Sequence, residues 1–213
     1  LTMTFPIAWE DHPSSANFPT GNEPKTGAPL MAIMQNGTPE PEREPIANVD
    51  YTEYKEGIFV GYRAFEHYGT EVSYPFGYGL SYTAFQYGEP EISVRRGIYT
   101  VSLDVTNTGN LPGKEAVQLY VAAPGKDMIK PEKELKAFAK TGLLGPGQTE
   151  RVEMIFTTCD LASFNQERSG WVTEPGIYKI RLGASSADIR SEASISVKKE
   201  IFKAVNNVLT PQI

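Results

Sequence analysis

Few side chains in this sequence combine the residue types that catalysis needs. Asp11, His12 and Ser14 or Ser15 stand together in "EDHPSS" and include the acid, base and hydroxyl of a nucleophilic triad. Such a triad works only when the groups converge in space, the imidazole facing the hydroxyl with one nitrogen and the carboxylate with the other. Neighbours on one stretch beside Pro13 are expected to form a solvated loop. His67 is the other histidine; with it, His12 and Cys159 fall short of a zinc ligand set, so no metal site is expected. "GPGQT" at 145–149 lacks the lysine of a phosphate-binding loop and falls between two strand-like stretches. Carboxylates remain. Hydrolysis of a glycosidic bond takes two of them, on opposite sides of the scissile atom. Asp50, Glu53, Glu56, Glu66 and Glu71 are close in sequence. Glu53 and Glu56 would share one face of a helix, which does not set them around a sugar ring, and solvated surface is the expectation. No self-sufficient active site emerges: no residue is assigned a catalytic role, substrate-binding residues stay unassigned, and no cofactor is called for.

The bulk composition narrows the partners. Across 213 residues the net charge is −6, which disfavours nucleic acid and anionic membrane surfaces, because binding phosphate requires a positive field. No apolar run approaches the ~20 residues of a membrane-spanning helix. The lone Cys159 cannot close a disulfide within the chain. A first residue of Leu rather than Met suggests a start farther upstream.

Whatever the chain does must rest on its strands. In "GIYTVSLDVTNTG", Tyr99, Val101, Leu103 and Val105 alternate with Thr100, Ser102, Asp104 and Thr106, the period of a strand with one buried face. The same rule recurs in Val117/Leu119/Val121, Val152/Met154/Phe156, Tyr178/Ile180/Leu182 and Ala193/Ile195/Val197, with Gly, Pro, Asn and Ser turns between them. Short strands spaced by turns, with no helix-length periodic segment, predict a two-sheet antiparallel β-sandwich. "CDLASF" at 159–164 is read as one helical turn that Asp160 could cap. "TNTG" (106–109) and "SSADIR" (185–190) are read as turns held by Asn107 and Asp188. Trp171 could stack on a sugar, with a place in the core or at its rim the plainer reading.

The first 90 residues are less regular. "LTMTF" is a short strand ended by Pro6, and it must join a sheet made elsewhere. Residues 20–50 are proline-rich and read as an extended loop, with the apolar island Leu30 to Met34 packed on a neighbouring surface or reaching toward a partner or cleft. Around Ile58, Phe59, Tyr62 and Phe65, a short helix and an irregular aromatic layer are equally compatible with the spacing. "YPFGYGLSYTAF" (74–85) crowds rings between glycines and a proline, so its rings must pack one by one on something already folded.

Taken together, "YKEGIFVGYRAFE" (54–66) and "YPFGYGLSYTAF" resemble the junction near the end of family 3 glycoside hydrolases, the β-glucosidase and β-xylosidase family. "VTNTGNLPGKEAVQLYV" (105–121), "PEKELKAFAK" (131–140), "LLGPGQT" (143–149) and "PGIYKIRLGASSADIR" (175–190) resemble that family's C-terminal fibronectin type III-like domain. "LTMTFP" is similar to a segment near the close of its α/β sandwich domain. The resemblance implies a division into 1–19, the end of that α/β sandwich domain; 20–50, a proline-rich loop; 51–90, an aromatic junction; 91–200, a fibronectin type III-like, immunoglobulin-like β-sandwich; and 201–213, a tail. The fold expected is mainly β, preceded by an irregular remnant of the α/β domain.

The resemblance further implies a modular enzyme, retaining and exo-acting on terminal β-linked sugars, without metal or organic cofactor. Its barrel aspartate and its acid/base glutamate lie upstream of the "LTMTFP"-like segment, so neither is carried over to any residue here. This chain would serve as the structural portion, partnered by the upstream catalytic domains and meeting oligosaccharide or glycoside only through them. Tyr62, Arg63, Tyr74, Phe76, Tyr78, Leu80, Tyr82 and Phe85 are the residues expected to pack that interdomain contact. A homodimer contact is open, with 20–50 the stretch to examine, and the family's usual substrates suggest a periplasmic or secreted setting. The alternative from another class is a stand-alone carbohydrate-binding or adhesion module.

Overall fold

The computed structural model describes residues 1–15 and 54–204. The 20–50 loop, its apolar island, Asp50, Glu53 and most of the 201–213 tail lie outside the described residues. The chain divides into two compact units, Leu1–Ile7 with Ile58–Ile213, and Ala8–Gly57.

The larger unit is built on two antiparallel sheets. In the first, β5 (Ile98–Asn107) is central. It pairs on one side with β8 (Thr149–Thr157) and on the other with two short strands in succession, β3 (Phe85–Tyr87) and β4 (Glu91–Arg95). The second sheet runs in the order β12 (Ile189–Val197), β11 (Gly176–Gly183), β6 (Ala116–Ala122) and β7 (Glu134–Lys140). The period-two pattern is what closes them face to face. Tyr99, Val101, Leu103 and Val105 of β5 and Val152, Met154 and Phe156 of β8 meet Val117, Leu119, Val121, Tyr178, Ile180 and Leu182 of the opposite sheet in one core cluster. Each fully buried aliphatic or aromatic side chain there contributes roughly 1.5–3 kcal/mol. On the outward face of β5, Ser102 is also buried, because Arg151 lies over it and donates from Nη2 to its Oγ at 2.8 Å. The predicted mainly β sandwich is the observed fold.

Smaller elements complete the unit. β9 (Ser163–Asn165), β10 (Gly170–Thr173) and β13 (Glu200–Ala204) form a three-stranded sheet of their own. The helical turn lies at Thr158–Leu161, one residue earlier than the segment singled out in the sequence, so the cap moves too. Thr157 is the N-cap, and Asp160, three positions on, completes a reciprocal box by accepting from Thr157 N at 2.7 Å. At the start of β11, Tyr178 Oη donates to Glu174 O at 3.0 Å, the tyrosine corner of immunoglobulin-like sandwiches. Burial pushes the Tyr178 hydroxyl up to about 12. The Glu174 side chain, itself buried, accepts from the backbone N–H groups of Lys126, Asp127 and Met128 and so pins the loop before β7.

Candidate docking surface on the aromatic segment

The short strand of "LTMTF" finds its sheet within the chain. β1 (Phe5–Pro6) pairs antiparallel with β2 (Val72–Tyr74), Phe5 opposite Tyr74 and Pro6 opposite Val72. Between them in sequence lies α1 (Tyr62–Tyr68), which resolves the helix-or-layer ambiguity in favour of helix. Gly69, in the left-handed conformation at φ 64°, ends it; Gly69 N donates to Glu66 O at 3.3 Å and Thr70 N reaches back to Phe65 O at 2.9 Å, so these two carbonyls near the helix end are satisfied.

α1 is fastened to the sandwich by a run of facing acidic and basic side chains. Arg63 faces Glu134 at 3.5 Å, Glu66 faces Lys133 at 2.6 Å, and His67 faces Glu132 at 3.6 Å. Tyr62 Oη accepts from Leu135 N at 2.8 Å, and burial raises its hydroxyl above the usual tyrosine value. The Tyr62 ring stacks on Phe76 at 4.8 Å and meets Tyr120 of β6 edge-on at 6.0 Å. Tyr120 donates to Gln118 Oε1 at 2.6 Å, and Gln118 Nε2 donates to Gly77 O at 3.1 Å and to Ala184 O at 2.6 Å. Gly77 has φ +82°, and a Cβ there would stand 2.0 Å from Gln118 Oε1. Only glycine satisfies both demands.

Farther along, Thr83 Oγ1 donates to Asn107 Oδ1 at 2.6 Å. Asn107 is fully buried, and its Nδ2 donates to Leu111 O and Leu144 O, each at 2.8 Å. Its Oδ1 also accepts from Gly109 N at 3.0 Å, so the residue read as a turn-former does hold that turn and is besides a buried joint binding two loops, at Leu111 and Leu144, to the segment. Tyr87 of β3 donates to Glu115 Oε1 at 2.9 Å, and Arg190 Nη1 reaches the same oxygen at 3.0 Å while lying 5.0 Å over the Tyr87 ring. Burial raises the Glu115 carboxyl above its ordinary value, against the pull of the Tyr87 hydrogen bond and the Arg190 charge.

The eight residues expected to pack an interdomain contact divide by direction. Tyr62, Arg63, Phe76 and Phe85 turn inward, Phe85 packing against the sandwich core. Tyr78 is half-buried, 5.1 Å from the Tyr74 ring. Tyr74, Leu80 and Tyr82 turn outward, with relative exposures of 46%, 88% and 95%. Beside the outward group a cleft of about 550 Å³ is lined by Tyr78, Leu80, Lys114, Lys140 and Arg190. Gln118, Tyr120 and the Glu132–Lys133–Glu134 run escaped the sequence reading. Their signal was present on the outward face of β6, where Gln118 and Tyr120 carry no charge although the strand's other face already fills the core.

The triad residue types do not assemble. In the smaller unit a 3-10 turn spans Trp9–Asp11. Ser14 Oγ lies 2.7 Å from His12 Nδ1, but Asp11 turns its carboxylate to Ala8 N at 2.8 Å. No group of three or more His, Cys, Asp or Glu side chains is placed to hold a metal ion among the described residues. Trp171 sits at the rim, 44% exposed, edge-on to Phe164 at 5.8 Å.

Fold and surface together define a fibronectin type III-like sandwich with a ring-rich segment strapped across one outer face, and the family model for the fibronectin type III-like domain matches residues 115–186. The chain is 35% identical over 205 residues to thermostable beta-glucosidase B of Acetivibrio thermocellus, covering 94% of this chain and 23% of that protein. Beta-glucosidase BoGH3A of Bacteroides ovatus is 42% identical over 142 residues, 65% of this chain and 19% of that one. Among solved structures, beta-glucosidase 3B of Thermotoga neapolitana superposes with a TM-score of 0.78 at 39% identity over 94% of this chain and 25% of its own. The chain thus spans about a quarter or less of the relatives it matches. It belongs to the family 3 glycoside hydrolases, as a C-terminal portion that carries the fibronectin type III-like domain rather than the catalytic part.

Proposed function

We propose that this chain is the structural C-terminal module of a β-glucosidase-type enzyme, clamped to the catalytic domains by the outward side of its aromatic segment. Hydrolysis of terminal β-linked sugars with retention would be carried out by two carboxylates of those domains. The module's work is to hold them. Tyr62, Arg63, Phe76 and Phe85 fix the segment to the sandwich; Tyr74, Leu80 and Tyr82, with Tyr78 between the two sets, present the contact.

One observation carries this reading. A segment braced by ion pairs, stacked rings and Gln118 nonetheless leaves Leu80 and Tyr82 almost wholly in water, at 88% and 95% exposure. Apolar surface held rigid and bare marks an interaction site. The relatives' remaining length, over three quarters of the Acetivibrio protein, supplies an occupant of the right kind.

The test is the double variant Leu80→Ser/Tyr82→Ser, made in this chain and in the longer polypeptide that contains it. The chain alone is expected to keep its unfolding midpoint, while the longer polypeptide releases the module to limited proteolysis several-fold faster. Equal release rates would overturn the docking role. Saturable glycan binding by the chain alone, abolished by Trp171→Ala, would favour the carbohydrate-binding module instead.

A further inference from the structure

A second, smaller pocket of about 250 Å³ lies between the segment before β1, α1, β2 and the turn at Ser186. Tyr62, Phe65, Val72 and Pro75 give it largely apolar walls. Two oxygens interrupt them. Thr4 Oγ1 belongs to a residue only 8% exposed and has no hydrogen-bond partner among the described residues. Glu66 Oε1 is likewise buried and unpartnered, although the other oxygen of that carboxylate holds Lys133 Nζ at 2.6 Å. Glu71 brings a second carboxylate to the wall, and among the described residues no basic side chain lines it.

Buried hydroxyls and carboxylate oxygens in native proteins are almost always paired, since an unpaired one forfeits its hydration without return. Both oxygens here can accept, and the residues that carry them line a space with apolar sides and an acidic wall. The complement is a side chain with an aliphatic stem and a cationic tip carrying several N–H donors. We infer that the pocket is a socket for a basic side chain, arginine or lysine, presented by the part of the enzyme lying outside this chain. The stem packs on Phe65 and Pro75, and the cation donates to Glu66 Oε1 and Thr4 Oγ1 beside Glu71. A guanidinium suits this pair of acceptors best, because its donors are spread across a rigid plane. The inference rests on the docking reading and names a partner group for it.

Thr4→Val keeps the shape and removes the acceptor; Glu71→Lys places a competing cation at the wall. Each is measured by module release under limited proteolysis in the longer polypeptide, and by the unfolding midpoint of the 213-residue chain. Tyr82→Ser in the longer polypeptide serves as the docking control. The expected result is release faster by roughly tenfold for both socket variants, the loss of about one charge-assisted hydrogen bond. In the chain alone the midpoint is unchanged, or rises for Thr4→Val as an unpaired hydroxyl is removed. If Tyr82→Ser speeds release and neither socket variant does, docking stands and the socket is overturned. If Tyr82→Ser is also silent, the docking reading fails and takes the socket with it. If Thr4→Val lowers the midpoint of the chain alone as much as it speeds release, the hydroxyl serves the chain's own fold, which also overturns the socket.

Discussion

Tyr99 and Phe156 stack at 4.9 Å inside the sandwich, and Tyr62 and Phe76 stack at 4.8 Å on its outside. The spacing is the same and the surroundings are not. The first pair lies in a layer closed by sheet on both sides, where burial is the common force on seventeen side chains and directional bonds are added at the hydroxyls of Tyr87 and Tyr178. The second pair lies on the outer face of β6, and its neighbours are held one by one, through Tyr62 to Leu135 N, Lys133 to Glu66 and Gln118 to Gly77 O. A layer shared by two sheets has no spare side. A strap fastened by directional contacts along one side leaves its other side exposed, and Tyr74, Leu80 and Tyr82 are on that side.

The comparison breaks first, and most visibly, at the core. Ile180 is fully buried between the sheets. Ile180→Ala is expected to cost about 2–5 kcal/mol, the range for truncating a buried aliphatic side chain. Denaturant unfolding should show the sandwich and the strap going together, because the strap's anchors belong to the sheet being undermined. A strap that kept its structure after the core had melted would mean the dependence runs the other way.

Gly77→Ala sharpens the difference from the strap's side. The new methyl group would meet Gln118 Oε1 in a backbone conformation that side chains rarely adopt. The expected cost is about 1–3 kcal/mol, confined to the strap. Amide exchange should quicken across residues 62–85 while β5 and β11 keep their protection. Equal loss in β11 would show the strap to be a working part of the core.

The two regions were also unequally legible in the sequence. Period two and the turns between strands exposed the sandwich, because a buried sheet face imposes its own repeat on the chain. Tyr178, Ile180 and Leu182 could be assigned to the core without knowing what they touch. The strap has no repeat. That its rings must find an already folded support followed from the glycines and Pro75, but the support itself, Gln118 and Tyr120, is some forty residues away. Nothing in a linear pattern ties Gly77 to Gln118, or Arg63, Glu66 and His67 to Glu134, Lys133 and Glu132; such pairs are set by tertiary placement. Asn107 shows the same limit. Its turn-forming character could be read locally, whereas its role in joining Thr83 to the carbonyls of Leu111 and Leu144 could not. Resemblance filled part of the gap by placing strap and sandwich together in one family, though not by showing which of the strap's rings face outward.

The smallest expected effect lies where strap and sandwich meet, at Glu115. Its side chain is 12% exposed and accepts from both Tyr87 and Arg190. Burial raises its carboxyl further than these two partners lower it, so the net displacement is upward. A raised native value means that the folded chain binds this proton more tightly than the unfolded chain does. Protonation therefore favours the native state. The stabilising contribution is complete below the unfolded value, near pH 4, and is lost as pH climbs through the raised native value. Glu115→Gln stays neutral throughout and keeps an oxygen for Tyr87 and Arg190. Subtracting the variant's stability-against-pH curve from that of the parent should leave a difference that falls as pH rises from about 4 and then levels off. A difference that rises over that window would mean the attraction of Arg190 outweighs desolvation, placing the contact with the strap's ion pairs rather than with the buried layer.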